Sequence, residues 1–351
     1  MSDLTLALAI VGGVALAGVL AHGAWQARRA GPRRAAPVAA DRAPAEQLEP
    51  VLTDAEGGVE APAHPPEPML ARTAPRRSAM RLDALIDAVA TLKPDADVAG
   101  ALVLQHLPAT RRVGSKPFAV EGLSTTTGEW EPIGADATYG TLQAGVLLAN
   151  RTGALNEIEY SEFVQRVQAI ADALGAMADL PDMLDVVARA RELDTFASAH
   201  DAQLALHLRA RGAAWSVGYL QQQALRRGFV NGPVPGQLVV PAADEGAPPV
   251  LVLSFDAQAA LAEQPDLAAL RDVTLAFDVA QTDASREPFA AWQASAAALA
   301  ADIDGDIVDD NGNPLGAEAF ASIGAELDRL YAALAERDLA AGSAAARRLF
   351  S

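Results

Sequence analysis

Residues 4–24 read LTLALAIVGGVALAGVLAHGA, 21 positions without a charged side chain. About 20 such residues are what a helix needs to cross the hydrocarbon core of a bilayer. Trp25 follows, at the depth where indole settles, and Arg28, Arg29, Arg33 and Arg34 come next. Only three residues precede the run. Cationic residues stay on the cytoplasmic side, so the rest of the chain is expected in the cytoplasm and residues 1–3 outside it. A cleaved signal peptide is the rival reading, since Ala21-His22-Gly23 imitates a cleavage site. Signal peptides carry positive charge before the apolar run, and here Asp3 stands there instead. The expected span is residues 4–25. Ala9, Gly13, Ala17 and Ala21 form a small-residue stripe of the kind that permits self-association of helices. Chance also produces such stripes in a helix rich in Ala and Gly.

Residues 26–79 change character. Nine prolines, from Pro32 to Pro75, are interleaved with Ala, Glu and Arg, and no helical or strand period survives. Such a stretch buries too little surface to offset its ordering entropy, which makes it a disordered, extended tether. The remaining 272 residues read as two α+β units, 80–198 and 199–351.

In the first unit, residues 82–92 read as a strand and 98–107 as a helix. Residues 118–123 and 128–133 read as short strands, and 142–148 as a strand ending in the turn Asn150-Arg151-Thr152-Gly153. Phe163, Val167, Ile170 and Leu174 share one face of a helix over 157–174, and 183–193 continues as a helix or a strand plus helix. The second unit gives strands over 203–209, 237–240, 250–255, 273–279 and 305–309, and helices over 217–227, 288–301 and 317–334. The order of elements is similar in the two units, and 141–174 aligns best with 272–303, which suggests a duplication. Strands joined in this order predict a split β-α-β sandwich, a mostly antiparallel sheet with helices on one face.

Composition excludes several functions. The net charge of −18 argues against nucleic acid as a partner, which needs a basic face. With no cysteine, thiolate metal sites, iron–sulfur clusters and a Cys nucleophile are ruled out. Five scattered histidines suggest no metal centre, and no nucleotide-binding or hydrolase motif is present. Asp302, Asp304 and Asp306 copy half of a calcium loop, but Ile307 replaces the needed Gly and Asn313 the needed Glu. They read as a helix end running into a strand. No cofactor and no catalytic residue is expected.

The layout resembles the ZipA family, bacterial cell-division proteins that tie FtsZ to the inner membrane. The resemblance rests on the very short outer tail, the single span and the edge sequence from His22 to Arg29. It continues through the Pro-rich tether, the 203–209 strand, the helix ending in Arg227-Gly228-Phe229, the 272–279 strand, the 289–301 helix with Gly305 to Asp310, and the final helix. The unit at 80–198 has no counterpart in the family's better-known members. The resemblance implies a non-enzymatic anchor at the septal inner membrane that binds the FtsZ C-terminal tail, stabilises or bundles protofilaments and helps recruit later septal proteins. It also implies a shallow apolar groove on the sheet face away from the helices.

Side chains alternate across a strand, so Leu204, Leu206, Leu208, Leu275, Phe277 and Val279 are expected to face the helices. Gln203, Ala205, His207, Thr274, Ala276 and Asp278 then lie on the open face. The groove expected from this is floored by Ala205, Thr274 and Ala276, with His207 nearby, and edged by Leu238, Val240, Phe255 and Ala257. The alternative function is a membrane-tethered enzyme or ligand-binding protein with a site in 80–198. Arg111, Arg112 and Lys116 near Phe118, Trp130 and Glu131 would then hold an acidic ligand; a solvated loop explains the same residues.

Overall fold

The structure, a computed structural model, describes residues 81–351 apart from 245, 265 and 266. The expected span, its flanking Trp25 and arginines, and the whole of the tether at 26–79 lie outside the described residues. Among the described residues no helix is long and apolar enough to cross a membrane.

The chain is mixed α+β, with two main sheets in which every strand pair is antiparallel. The first sheet has the order β3 (Arg112–Val113), β4 (Lys116–Ser124), β6 (Thr138–Leu147), β1 (Asp87–Pro94), β9 (Ala176–Asp179). The short β2 (Val98–Ala99) pairs with β6, and β5 (Trp130–Pro132) with β4. A small hairpin of β7 (Ala149–Asn150) and β8 (Gly153–Ala154) stands apart. Helices α1 (Gly100–His106), α2 (Glu157–Leu174) and α3 (Met183–His200) complete this part.

The second sheet runs β11 (Val230–Asn231), β12 (Gln237–Val240), β13 (Leu251–Ser254), β14 (Asp272–Asp278), β10 (Gln203–Ala210), β15 (Gly305–Val308). Its helices are α4 (Val217–Arg226), the single turn α5 (Ala257–Ala260), α6 (Pro288–Ile303) and α7 (Ala317–Glu336). A last helix, α8 (Ala344–Leu349), ends the chain.

The two sheets share a connection. β6 and β9 both pair antiparallel with β1, so they are parallel to each other and α2 makes the crossover. β14, α6 and β15 do the same around β10. Parallel strands need such a crossover.

Local chemistry fixes the ends of these helices. Asn156 and Glu159 close a capping box at the start of α2, and Gly175 ends it in the left-handed region at φ 59°. That turn sends the chain straight into β9, a strand not anticipated beside the 183–193 helix. Asp182 caps α3, and Pro288 occupies the first turn of α6.

Other expectations shift in detail. Asp83 donates its N–H to the Asp87 carboxylate and accepts from Leu85 N–H. This makes a turn of residues 84–86, and the strand expected from 82 begins at Asp87. Residues 98 and 99 pair with β6, so the helix expected from 98 begins at Gly100.

Each unit has its own apolar core. Trp215 and Trp292 are fully buried in the second unit and donate to the carbonyls of Ile303 and Leu275, at 2.6 and 2.8 Å, tying helix α6 to the sheet. Phe163, Val167 and Ile170 of α2 lie in the first core.

The end of the chain departs from the expected division. Leu339, Ala341, Ala346, Leu349 and Phe350 are buried in the core of the first unit, together with Leu334 of α7. Arg348 makes two bonds, 2.6 and 2.8 Å, to the Asp87 carboxylate, whose side chain is completely buried. The unit assigned to 199–351 thus closes the hydrophobic core of its neighbour.

Candidate functional site

Registration of the second sheet settles which side chains share a face. Leu206, Leu208, Val273, Leu275 and Phe277 are buried with Trp292, Leu299 and Ile303 of the helix layer. Ala205 is exposed, and Thr274, Ala276 and His207 are half-buried on the other side. The split expected for β10 and β14 is the one observed.

Leu238, Val240 and Phe255 are corrections. Leu238 is paired with Leu253, which is paired with Leu275, so all three point toward the helices. Val240 pairs with Leu251 on the same side, and Phe255 packs against the same core. These larger side chains supply the core that β12 and β13 need, so they cannot edge a groove on the opposite face. Ala257 opens the turn α5 and is exposed outside the sheet.

The residues that continue this face by register are Val230, Val239 and Val252, of which Val230 is exposed, Val252 half-buried and Val239 buried. Val230 lies opposite Val239, Val239 opposite Val252, Val252 opposite Ala276, and Ala276 opposite Ala205. This makes one unbroken row of small apolar side chains across five strands. Directly paired positions sit about 4.5–5.5 Å apart, so the row is a continuous strip. Alternation alone could have nominated Val239 and Val252. Choosing between them and Leu238 needed the register against β14, which no residue pattern in this sequence displays.

A polar row runs beside the strip: Gln237, Ser254, Thr274 and His207. His207 is clasped, with Nδ1 at 2.7 Å from Asp272 and Nε2 at 3.0 Å from Asp310. Burial alone would lower the pKa of the ring, but the bonds to Asp272 and Asp310 outweigh it and the net shift is upward. On the other side of the strip Gln203 lies opposite Asp278. Arg151 of the β7–β8 turn reaches Asp278 at 2.6 Å and also Asp201, so the first unit holds that edge of the second. The strip is therefore apolar in the middle and polar at both sides, with Asp278 neutralised by Arg151 and Asp272 and Asp310 turned to His207.

The alternative cluster does not assemble. Arg111 and Arg112 are exposed, while Lys116 is buried, donating to Ser115 Oγ at 2.7 Å, Asn150 Oδ1 at 3.0 Å and Thr152 Oγ1 at 3.2 Å. Burial pushes the Lys116 ammonium down, against the pull of Glu159 and Asp194. Phe118 is core, and Trp130 pairs with Leu123 at the far end of β4. Glu131 bonds the Tyr139 hydroxyl instead. Lys116 thus pins the β7–β8 hairpin to β4.

The aspartates at the end of α6 are likewise engaged: Asp302 pairs with Arg227 at 2.7 Å, and Asp306 with Arg211 at 2.6 Å. Among the described residues no group of three or more His, Asp or Glu is placed to hold a metal ion. The chain matches no family model, and no characterised protein matches its sequence.

Proposed function

We propose that this chain is a membrane-anchored, non-enzymatic adaptor of the ZipA type, which holds the C-terminal tail of FtsZ on the open face of its second sheet. The observation that carries the reading is the strip from Val230 through Val239, Val252 and Ala276 to Ala205. An apolar sheet face left uncovered by helices marks an interaction surface. The uncharged run at 4–24 and the arginines after it supply the anchor, and the Pro-rich residues that follow supply reach. On this reading the protein sits in the inner membrane at the division septum with residues 1–3 periplasmic. It stabilises or bundles protofilaments there and helps recruit later septal proteins. The shared crossover around β1 and β10 supports a duplicated split β-α-β unit.

The test is co-sedimentation of vesicles carrying the full chain with FtsZ, with and without its C-terminal tail. Capture that requires the tail is the expected result. Capture that ignores the tail, or no capture of the intact partner, contradicts the reading.

A further inference from the structure

The outer edges of the two sheets are not treated alike. In the second sheet β11 is only two residues long. The free side of β15 is taken by residues 313–315: Val308 pairs with Pro314, and the Leu315 N–H is donated to the Ile307 carbonyl at 3.1 Å. In the first sheet one edge is made of two short pieces, β3 and β5, the latter ending in Pro132. Short strands, proline and covering loops are how native sheets prevent pairing at an edge. The other edge, β9, carries neither lysine nor proline over Ala176-Met177-Ala178-Asp179, and among the described residues no strand pairs with its outer side.

The phase of the β1–β9 ladder says which of its groups are free. Pro94, opposite Ala176, has no N–H to give, and the Asp95 N–H is donated to the Gly175 carbonyl at 3.4 Å. The bonded pairs are therefore Lys93 with Met177 and Thr91 with Asp179. The N–H and carbonyl of Ala176 and of Ala178 then point away from the sheet. The two alanine side chains pack against the first core, so Met177 between them stands on the opposite face, 75% exposed.

We infer that β9 pairs antiparallel with β9 of a second copy of this chain, about a two-fold axis between the two Met177 residues. A second copy is selected because the edge is complementary to itself. Ala176 of each copy faces Ala178 of the other, so every free group on both strands is used, two bonds to each pair. The two Met177 form the non-bonded pair between them, where opposed side chains come closest, and each covers the other. Asp179 falls opposite Gly175, so no like charges face each other directly. Any other register sets Met177 against Asp179 or Gly175 and leaves its apolar surface in water. An edge this short makes a reversible contact, strengthened when copies share one surface. The pairing gives the first unit a role of its own: it joins two copies, so that a pair presents two strips of the second sheet.

The chain has no cysteine, so Met177→Cys in the full chain on vesicles supplies one thiol per copy. Oxidation should join two copies at least ten-fold faster than in Ile158→Cys, a position 81% exposed at the far end of α2. Adding Ala178→Pro removes only an outward N–H, and should bring the rate down to that of Ile158→Cys with the melting curve unchanged. If that curve moves, amide exchange in the unsubstituted chain decides. Protection at Ala176 and Ala178 should rise with protein density on the vesicle, while Met177 and Asp179 are protected at every density. Equal rates at 177 and 158, a rate indifferent to Ala178→Pro in a folded chain, or exchange at Ala176 and Ala178 independent of density overturns the inference. The outcome leaves the FtsZ reading untouched, because no residue of the second sheet's strip is involved.

Discussion

His207 stands where the strip turns polar, and its protonation is tied to the fold. Its folded pKa lies above the ordinary value of about 6.5 because two carboxylates hold it. Stability from the clasp is therefore fully present below about pH 6.5 and is lost as pH rises through the folded value. The carboxylates are open to solvent, so the clasp is worth about 0.2–1 kcal/mol. His207→Gln should lower the urea midpoint at about pH 6 more than at about pH 9. A larger loss at the higher pH would contradict the assignment. Arg348 is a different case. Its partner Asp87 is wholly buried, and removing one member of such a pair leaves a charge uncompensated. Arg348→Met should cost about 3–5 kcal/mol in thermal or urea unfolding. A change within error would mean that the Asp87 carboxylate finds another donor.

At the scale of elements, the long periodic segments were legible and the short ones were not. The α2 face of Phe163, Val167 and Ile170 and the alternation of β10 and β14 are written in the residue order, because one side must bury apolar area and the other must not. Two-residue strands such as β3 and β11 carry no period and exist only through pairing with β4 and β12. The same limit misplaced Leu238 and Val240. In the run Gln237-Leu-Val-Val240 three apolar residues adjoin, and only the register against β13 says that Leu238 faces inward and Val239 outward. Helix α8 escaped notice because its core partners lie about 200 residues earlier in the chain. That helix can be tested directly. Deleting residues 339–351 removes five buried side chains and the arginine that pairs with Asp87. Phe350→Ala alone should destabilise by about 3–5 kcal/mol. The full deletion should unfold the first unit, seen as loss of hydrogen-exchange protection in β1 and β6. Protection that survives there would mean that the first core closes without this segment.

The whole molecule is two sheets locked by an exchanged end. The second unit lends its last helix to the first core, and the first unit lends Arg151 to the edge of the second sheet. Inter-unit geometry is thereby fixed by buried apolar contacts and buried charge, with Arg337 stacked over Phe196 as a further link. Such an arrangement holds the apolar strip of the second sheet in one orientation relative to the first unit. The central claim is that this strip, and no other surface, takes the partner. Titration of a labelled FtsZ tail peptide into the full chain and into Ala276→Asp, with a melting curve for each, tests it most directly. The charge would sit in the middle of the strip, between Val252 and Ala205, with Leu275 and Phe277 untouched. The account predicts weaker binding by more than about 1 kcal/mol with the melting curve unchanged; binding equal to that of the unsubstituted chain would contradict it.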